Sequence, residues 1–432
     1  MFKVLQIPLS KTVSKNTFYL FFAQVVSKII ALFYGVILAR ALGPADFGLY
    51  IYVLTIFGLT AQVADFGFNR FFVRDVARDK SNLSFYLSNI FTFRFILMLV
   101  TVILVSFVIL FFDPDISRAS LAILALLTIL PNAAALTLEA AFIATEKMIY
   151  PAAALIFLNF AVAILGVLAL FVLRAGILGV ILTFLVAHLL YLLIYGVFLV
   201  KEKIKFSFNF DFNFWKKSAL ASFPYGFLAV LGLIYFKIDA VLLTLLRGET
   251  ETGFYGAAFK FLEGVHFVPL VFGTALFPVM ARLHGANILK LKSIYFSTLK
   301  ILFAASVAIF VFLLIFAPIL IKILYGPEFS PSILVLQILS VTIPFMFLHV
   351  PGAHLLFATD KYLKEVVLLS IFTVSFNIST NLIFIPKYGM LGAAAITVAS
   401  EILSFLVFFL FILLVVFKQY HGRSSNNNNS KL

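Results

Sequence analysis

Cysteine is absent from the chain, tryptophan occurs once, and only 12% of the residues are charged. Without cysteine there is no disulfide, no thiolate metal site and no cysteine nucleophile, and the redox compartment leaves no mark. The shortage of charge decides more, because it accompanies 63% hydrophobic residues over 432 positions. Such a chain has too little polar surface to coat soluble domains and enough apolar length for many membrane spans. Phosphate loops, nucleophile elbows and metal-ligand spacings are also missing, and the outer loops are too short to build a catalytic domain, so an enzyme is not expected. His349 and His354 stand five apart with no carboxylate at suitable spacing. No metal or cofactor is expected there, and the neighbouring Pro344 and Pro351 point to a kinked helix instead.

What is present is a series of long apolar runs. They fall near 17–41, 47–69, 84–112, 119–145, 149–173, 176–200, 219–246, 253–281, 293–322, 330–357, 362–386 and 389–417, which predicts an all-α, polytopic membrane protein of about twelve helices. The net charge of +14 does not point to nucleic acid. With the N-terminus inside, 21 Lys or Arg lie on the inner side and six on the outer, an asymmetry that expects both termini in the cytoplasm and the chain in the cell membrane. Membrane lipid, including anionic headgroups, is therefore an expected partner. The first run follows Lys3, Lys11 and Lys15, is too long for a signal-peptide core, and should stay as the first helix.

Part of the sequence occurs twice. Gly43, Gly48 and Tyr50 in ARALGPADFGLY recur as Gly248, Gly253 and Tyr255 at an offset of 205. Further echoes follow in the same order: Ala144 to Lys147 with Ala358 to Lys361, Gly176 and Gly179 with Gly389 and Gly392, and Asp113-Pro114-Asp115 with Gly326-Pro327-Glu328, at offsets of 213 or 214. An offset of six helices gives both copies one orientation, so the expectation is two pseudo-twofold-related six-helix bundles around a central cleft. The expected division is 1–200 for the first bundle, 201–218 for a cytoplasmic linker with Trp215 at the membrane interface, 219–417 for the second bundle, and 418–432 for a disordered tail rich in Asn and Ser.

The run LARALGPADFGLY with ADFGFNRFFVRDVAR, and the second-half run KIDAVLLTLL, GFYGAAFKFLEGV and ALFPVMARL, resemble the polysaccharide-export branch of the multidrug/oligosaccharidyl-lipid/polysaccharide exporter superfamily. The resemblance covers nearly the whole chain. It implies an O-antigen-type flippase that carries an isoprenoid-diphosphate-linked oligosaccharide from the inner to the outer leaflet by alternating access, with glycan-assembly enzymes as protein partners.

Such cargo needs cations for the diphosphate and a wet path for the sugars, so charges within the spans are the candidate site residues. Lys28 and Arg94 lie deepest in the first half; each reads either as a phosphate contact or as half of an internal ion pair. Lys237 and Lys260 are the corresponding cations of the second half. Lys260, Glu263 and His266 share one broad helix face, where Lys260 and Glu263 either line the cleft or neutralise each other, and His266 either titrates or packs. Asp239, two from Lys237, suits an outer gate. Asp65, Glu139 and Lys300 lie near inner ends, where snorkelling or pairing is the plain reading; Asp65 could pair with Arg70 or Arg74 or gate the inner mouth. His188 and Glu401 occupy equivalent repeat positions 213 apart near mid-span, either as a coupling site or as packing groups. A diphosphate of about two charges moving outward gains roughly 4.6 kcal/mol per 100 mV, and proton or sodium antiport through Glu401 or Glu263 would reset the carrier. The alternative is a small-molecule or drug antiporter of the same superfamily, against which Lys28 stands where an acidic residue would be expected.

Overall fold

A computed structural model describes residues 11–358 and 360–418, so the Asn-rich tail beyond 418, Lys3 and Thr359 lie outside the described residues. The elements are α1 (Lys11–Asp65), α2 (Phe68–Arg78), α3 (Leu83–Phe112), α4 (Ile116–Leu126), α5 (Ile129–Ala144), α6 (Ile149–Phe171), α7 (Gly176–Lys201), α8 (Phe212–Arg247), α9 (Glu249–Ala286), α10 (Ile288–Leu324), α11 (Ser332–Ser340), α12 (Thr342–Phe357) and α13 (Leu363–Phe411). Among the described residues there is no strand. Among the described residues, nine stretches are long and apolar enough to cross a membrane, and α11 with α12, bent by 43°, forms another. Two of the nine, α1 and α13, are broken at Gly43 and Gly389 into two helices each, so the chain supplies twelve spanning segments. It is an all-α, multi-pass membrane protein. Its outward residues fit that medium: Phe107, Phe111 and Phe112 of α3 are 65–74% exposed, as side chains meeting lipid should be.

The breaks explain the repeated glycines. Gly43 has φ 72 and ψ 177 and Gly248 has φ 90 and ψ 178, so the two echoes adopt one conformation, in a region open almost only to glycine. Gly176 and Gly389, the other echo, share φ 56. A second requirement falls on Gly48 and Gly253. A Cβ on Gly48 would lie 1.8 Å from the Glu249 carbonyl oxygen, and one on Gly253 would lie 2.0 Å from that of Pro44. Two helix backbones meet there as closely as small residues allow.

The chain forms two compact units. One runs to Leu42 and resumes from Tyr52 to Leu233; the other combines Gly43–Ile51 with the chain from Ile234. In the first, α2 is a helix that the hydropathy pattern did not mark. Its Phe68, Phe71, Phe72 and Val76 are buried against Leu138, Ala141 and Phe142 of α5 and Tyr195 of α7, while Arg74 and Arg78 stay on its other face. Residues 212–218, read from sequence as part of the linker, are the first turns of α8. Trp215 is buried within the protein, 7% exposed: it stacks on Phe93 at 5.1 Å and donates its indole N–H to the Asn89 carbonyl at 3.1 Å. In the second unit, Glu251 accepts the Met390 N–H at 2.7 Å and Arg247 at 3.0 Å, and so clamps the α13 break beside Gly389.

Candidate functional site

In the second unit a buried polar cluster forms where α8, α9 and the two parts of α13 meet. Asp239 of α8 is 3% exposed. Its Oδ1 accepts from Asn381 at 2.8 Å, and its Oδ2 accepts from Thr397 at 2.7 Å and from Tyr255 at 3.1 Å. Asn377 donates to Ser400 at 3.2 Å. The amide oxygens of both Asn377 and Asn381 are buried without a hydrogen-bond partner. Carbonyl oxygens left bare beside a buried carboxylate are costly, since each forfeits its hydrogen bonds to water. An oxygen-rich set with one negative charge suits a hard monovalent cation.

The same cavity extends to Tyr235 and Glu401. Glu401 is 6% exposed, and its Oε2 lies 3.7 Å from His349 Nδ1, beyond hydrogen-bond reach. Neither Glu401 Oε2 nor His349 Nε2 has a partner. His349 thus meets a carboxylate brought from α13, which local spacing in the sequence could not reveal. Ser404, one turn beyond, donates to the Tyr235 hydroxyl at 3.0 Å.

A second group in this unit is cationic. Lys237 of α8 and Lys260 of α9 both bond to Glu263, Lys260 at 2.9 Å, giving a triad with a net charge of one. All three side chains are a quarter to a third exposed. Lys237 also lies over the Phe236 and Phe259 rings at 5.7 and 5.4 Å, which favours the cation further. His266 stacks on Phe236 at 4.9 Å, half-buried beside the triad.

In the first unit, Arg94 is fully buried. Its guanidinium bonds to Asp65 at 2.8 Å, Asn69 at 2.7 Å and Thr137 at 2.7 Å. Asp65 thus takes Arg94 as its partner; Arg74 is on Asp75 at 2.7 Å, and the Arg70 side chain lies outside the described residues. Glu139 accepts from Tyr191 at 2.7 Å and Tyr195 at 2.9 Å. His188 is buried, bonds through Nδ1 to the Phe184 carbonyl at 2.9 Å and packs against the Phe184 and Phe57 rings. Lys28 is exposed on α1.

Asp239, Lys237, Lys260, Glu263, His266 and Glu401 thus fall in one unit and Lys28, Asp65, Arg94 and His188 in the other. Not among the site residues read from sequence are Asn377, Asn381, Thr397, Ser400 and Tyr255, all neutral. Their signal was periodic: Asn377 with Asn381, and Thr397 with Glu401, stand four apart and mark single polar faces on otherwise apolar helices.

Residues 13–284 match the family described as polysaccharide biosynthesis protein. The chain belongs to that family. Residues 224–383 also match the MatE family, and the two together place this member in the multidrug/oligosaccharidyl-lipid/polysaccharide exporter superfamily. An uncharacterized membrane protein of Methanocaldococcus jannaschii is 25% identical over 222 residues, 50% of this chain and 44% of that protein, so the match spans less than half the relative's length. Among solved structures, the lipid II flippase MurJ in an inward closed conformation is similar with a TM-score of 0.73 at 18% identity, over 92% of this chain and 87% of that one. An inward-facing multidrug resistance MATE family transporter is similar with a TM-score of 0.70 at 16% identity, over 90% and 94%. At these identities the likeness is one of fold.

Proposed function

We propose that this family member is a flippase that moves an isoprenoid-diphosphate-linked oligosaccharide from the inner to the outer leaflet of the cell membrane by alternating access, with both termini cytoplasmic. The observation that carries the reading is the match of the first 13–284 residues to a polysaccharide biosynthesis family in a chain that is almost entirely membrane helix. The fold shared with a lipid II flippase supports the same class of cargo.

The side chains assigned to the diphosphate are Lys28, Lys237 and Lys260. The last two share one carboxylate, so the triad keeps a positive charge that a phosphate oxygen can compete for. Arg94 is assigned to holding Asp65, because its two terminal nitrogens are bonded to Asp65, Asn69 and Thr137, while its buried Nε–H has no partner. The Asp239 cluster is assigned to a co-transported cation, sodium by its oxygen donors, and Glu401 with His349 to the same coupling machinery. Gating by Asp65 and titration of His266 and His188 belong to this reading as secondary roles. The MatE match over 224–383 favours one other reading, a small-molecule antiporter using the same cation cluster.

Reconstitution with a fluorescent isoprenoid-diphosphate glycan tests the assignment. Lys28→Ala and the double change Lys237→Ala/Lys260→Ala should each slow flipping by about tenfold or more, the worth of one charged hydrogen bond of roughly 1.5–3 kcal/mol. Normal flipping by both variants would exclude the anion site, and export of small cations without glycan movement would favour the antiporter.

A further inference from the structure

The connection between α7 and α8 is strapped down where a hinge would be loose. The backbone N–H groups of Ser207, Asn209 and Asp211 donate to Ser88 at 3.1 Å, Thr92 at 3.1 Å and Asn89 at 3.2 Å, all within about one turn of α3. Donors at every second residue mean an extended segment, so side chains of the other parity share one face. That parity is Phe206, Phe208, Phe210 and Phe212, with exposures of 37, 61, 60 and 74%. Phe206 also rests on Phe91, with ring centres 4.6 Å apart, which fixes the strap's direction.

Lysines bracket the phenylalanines. Lys201, Lys203, Lys205, Lys216 and Lys217 are all exposed. The two acidic residues of the stretch are engaged elsewhere: Glu202 pairs with Lys147 and Tyr150, and Asp211 caps the Phe214 N–H at 3.0 Å. Two spans end at this strap, at Lys201 and Phe212, so the segment lies at the rim of the bilayer.

We infer that residues 201–217 form an interfacial anchor that lies on an anionic phospholipid surface, with Phe208, Phe210 and Phe212 seated at the headgroup–acyl boundary and the five lysines on the headgroups. Backbone donors tied to α3 let an extended segment enter that zone without carrying bare N–H groups into it. Aromatic rings and flanking lysines divide there as amphipathic side chains do at a membrane boundary. The anchor fixes the start of α8 to α3 and to the lipid surface at once. This inference rests on the membrane assignment and the inner placement of the segment, and not on which cargo is moved.

The cysteine-free chain allows a direct test. Phe208→Cys and Phe210→Cys, labelled with an environment-sensitive fluorophore, are compared with Asn213→Cys in the full protein reconstituted in phosphatidylcholine vesicles with and without phosphatidylglycerol. Labels at 208 and 210 should emit to the blue of the label at 213 and be quenched more by headgroup-level spin-labelled lipid than by aqueous iodide. The blue shift should grow with phosphatidylglycerol, and Lys203→Glu/Lys216→Glu/Lys217→Glu should remove that growth. Labels quenched mainly by iodide would overturn the anchor. Labels shielded from both quenchers would overturn it in favour of a protein contact, and a shift that ignores phosphatidylglycerol would overturn the role of the lysines. Retained elution volume and melting temperature of each variant guard against misfolding.

Discussion

Removing the Arg94 side chain separates two roles that a deep membrane arginine can have. Its guanidinium is fully buried and bonds to Asp65, Asn69 and Thr137, while Asp65 is 22% exposed. In Arg94→Ala the carboxylate of Asp65 loses its only ion pair among the described residues, and two neutral groups lose a charged donor. Breaking a buried pair from one side costs about 3–5 kcal/mol, because an uncompensated charge stays behind. For a unit of roughly 200 residues that corresponds to a fall in melting temperature of about 6–20 °C. Removing both charges in Arg94→Met/Asp65→Asn should return much of the loss, because an apolar side chain of similar volume can replace a buried pair at little net cost. The assay is thermal unfolding of the purified protein in detergent, with and without a diphosphate-lipid ligand. If Arg94→Ala melts like the wild type yet loses only the ligand-induced shift, the arginine is a substrate contact and the structural reasoning fails.

Sodium in place of choline should raise the melting temperature, by about 2.7 kcal/mol of stability at a hundred times the dissociation constant, and Asp239→Asn should abolish that rise; equal shifts in both proteins would refute the cation cluster. Gly48→Ala should destabilise by about 1–3 kcal/mol, since its new methyl meets the Glu249 backbone rather than a movable side chain. Gly58→Ala, with nothing within 4 Å, should be neutral or stabilising, and equal melts for the two would contradict the packing account. Outside the spans, burial pushes the Asp113 carboxyl up, but Arg118, bonded at 2.8 and 3.0 Å, and the Asp115 N–H hold it below its ordinary value. A lowered carboxyl stabilises above the ordinary range and loses that stability as pH falls through it, so melting temperature should drop toward acid and Asp113→Asn should flatten the drop.

The order and number of the spanning segments were legible because hydropathy along the chain is a one-dimensional signal matched to bilayer thickness. The glycine echoes carried further: Gly43 and Gly248, equivalent in the repeat, share a conformation that few other residues adopt. Apart from Lys260 with Glu263, three apart on one helix, partners of the intramembrane charges were not legible. Arg94 reaches Asp65, Lys237 reaches Glu263, and His349 approaches Glu401, each across helices. Such meetings depend on how each helix is rotated, and a nearly uniform apolar helix carries little periodicity to report it. Helix α2 was a different omission, since Phe68, Phe71, Phe72 and Val76 against Arg74 and Arg78 is a period that could have been counted.

The duplication itself bears on what the Asp239 cluster is for. At the offset of 205 set by the glycine echoes, Asp239 and Tyr255 correspond to Tyr34 and Tyr50. At the offset of 213, Thr397, Ser400 and Glu401 correspond to Phe184, Ala187 and His188. The first copy of the frame therefore closes with tyrosine, phenylalanine and alanine at positions where the second buries a carboxylate among hydroxyls and bare amide oxygens. Tyr34, Ala187 and His188 are themselves at most 5% exposed, so these positions are interior in both copies. The first copy builds the same frame without a charge at these positions, while in the second the buried Asp239 carboxylate is held by three hydrogen bonds. That difference supports the proposed ligand role of the second copy, in which a cation held by Asp239, Thr397 and the amide oxygens of Asn377 and Asn381 would offset the cost of burying the carboxylate.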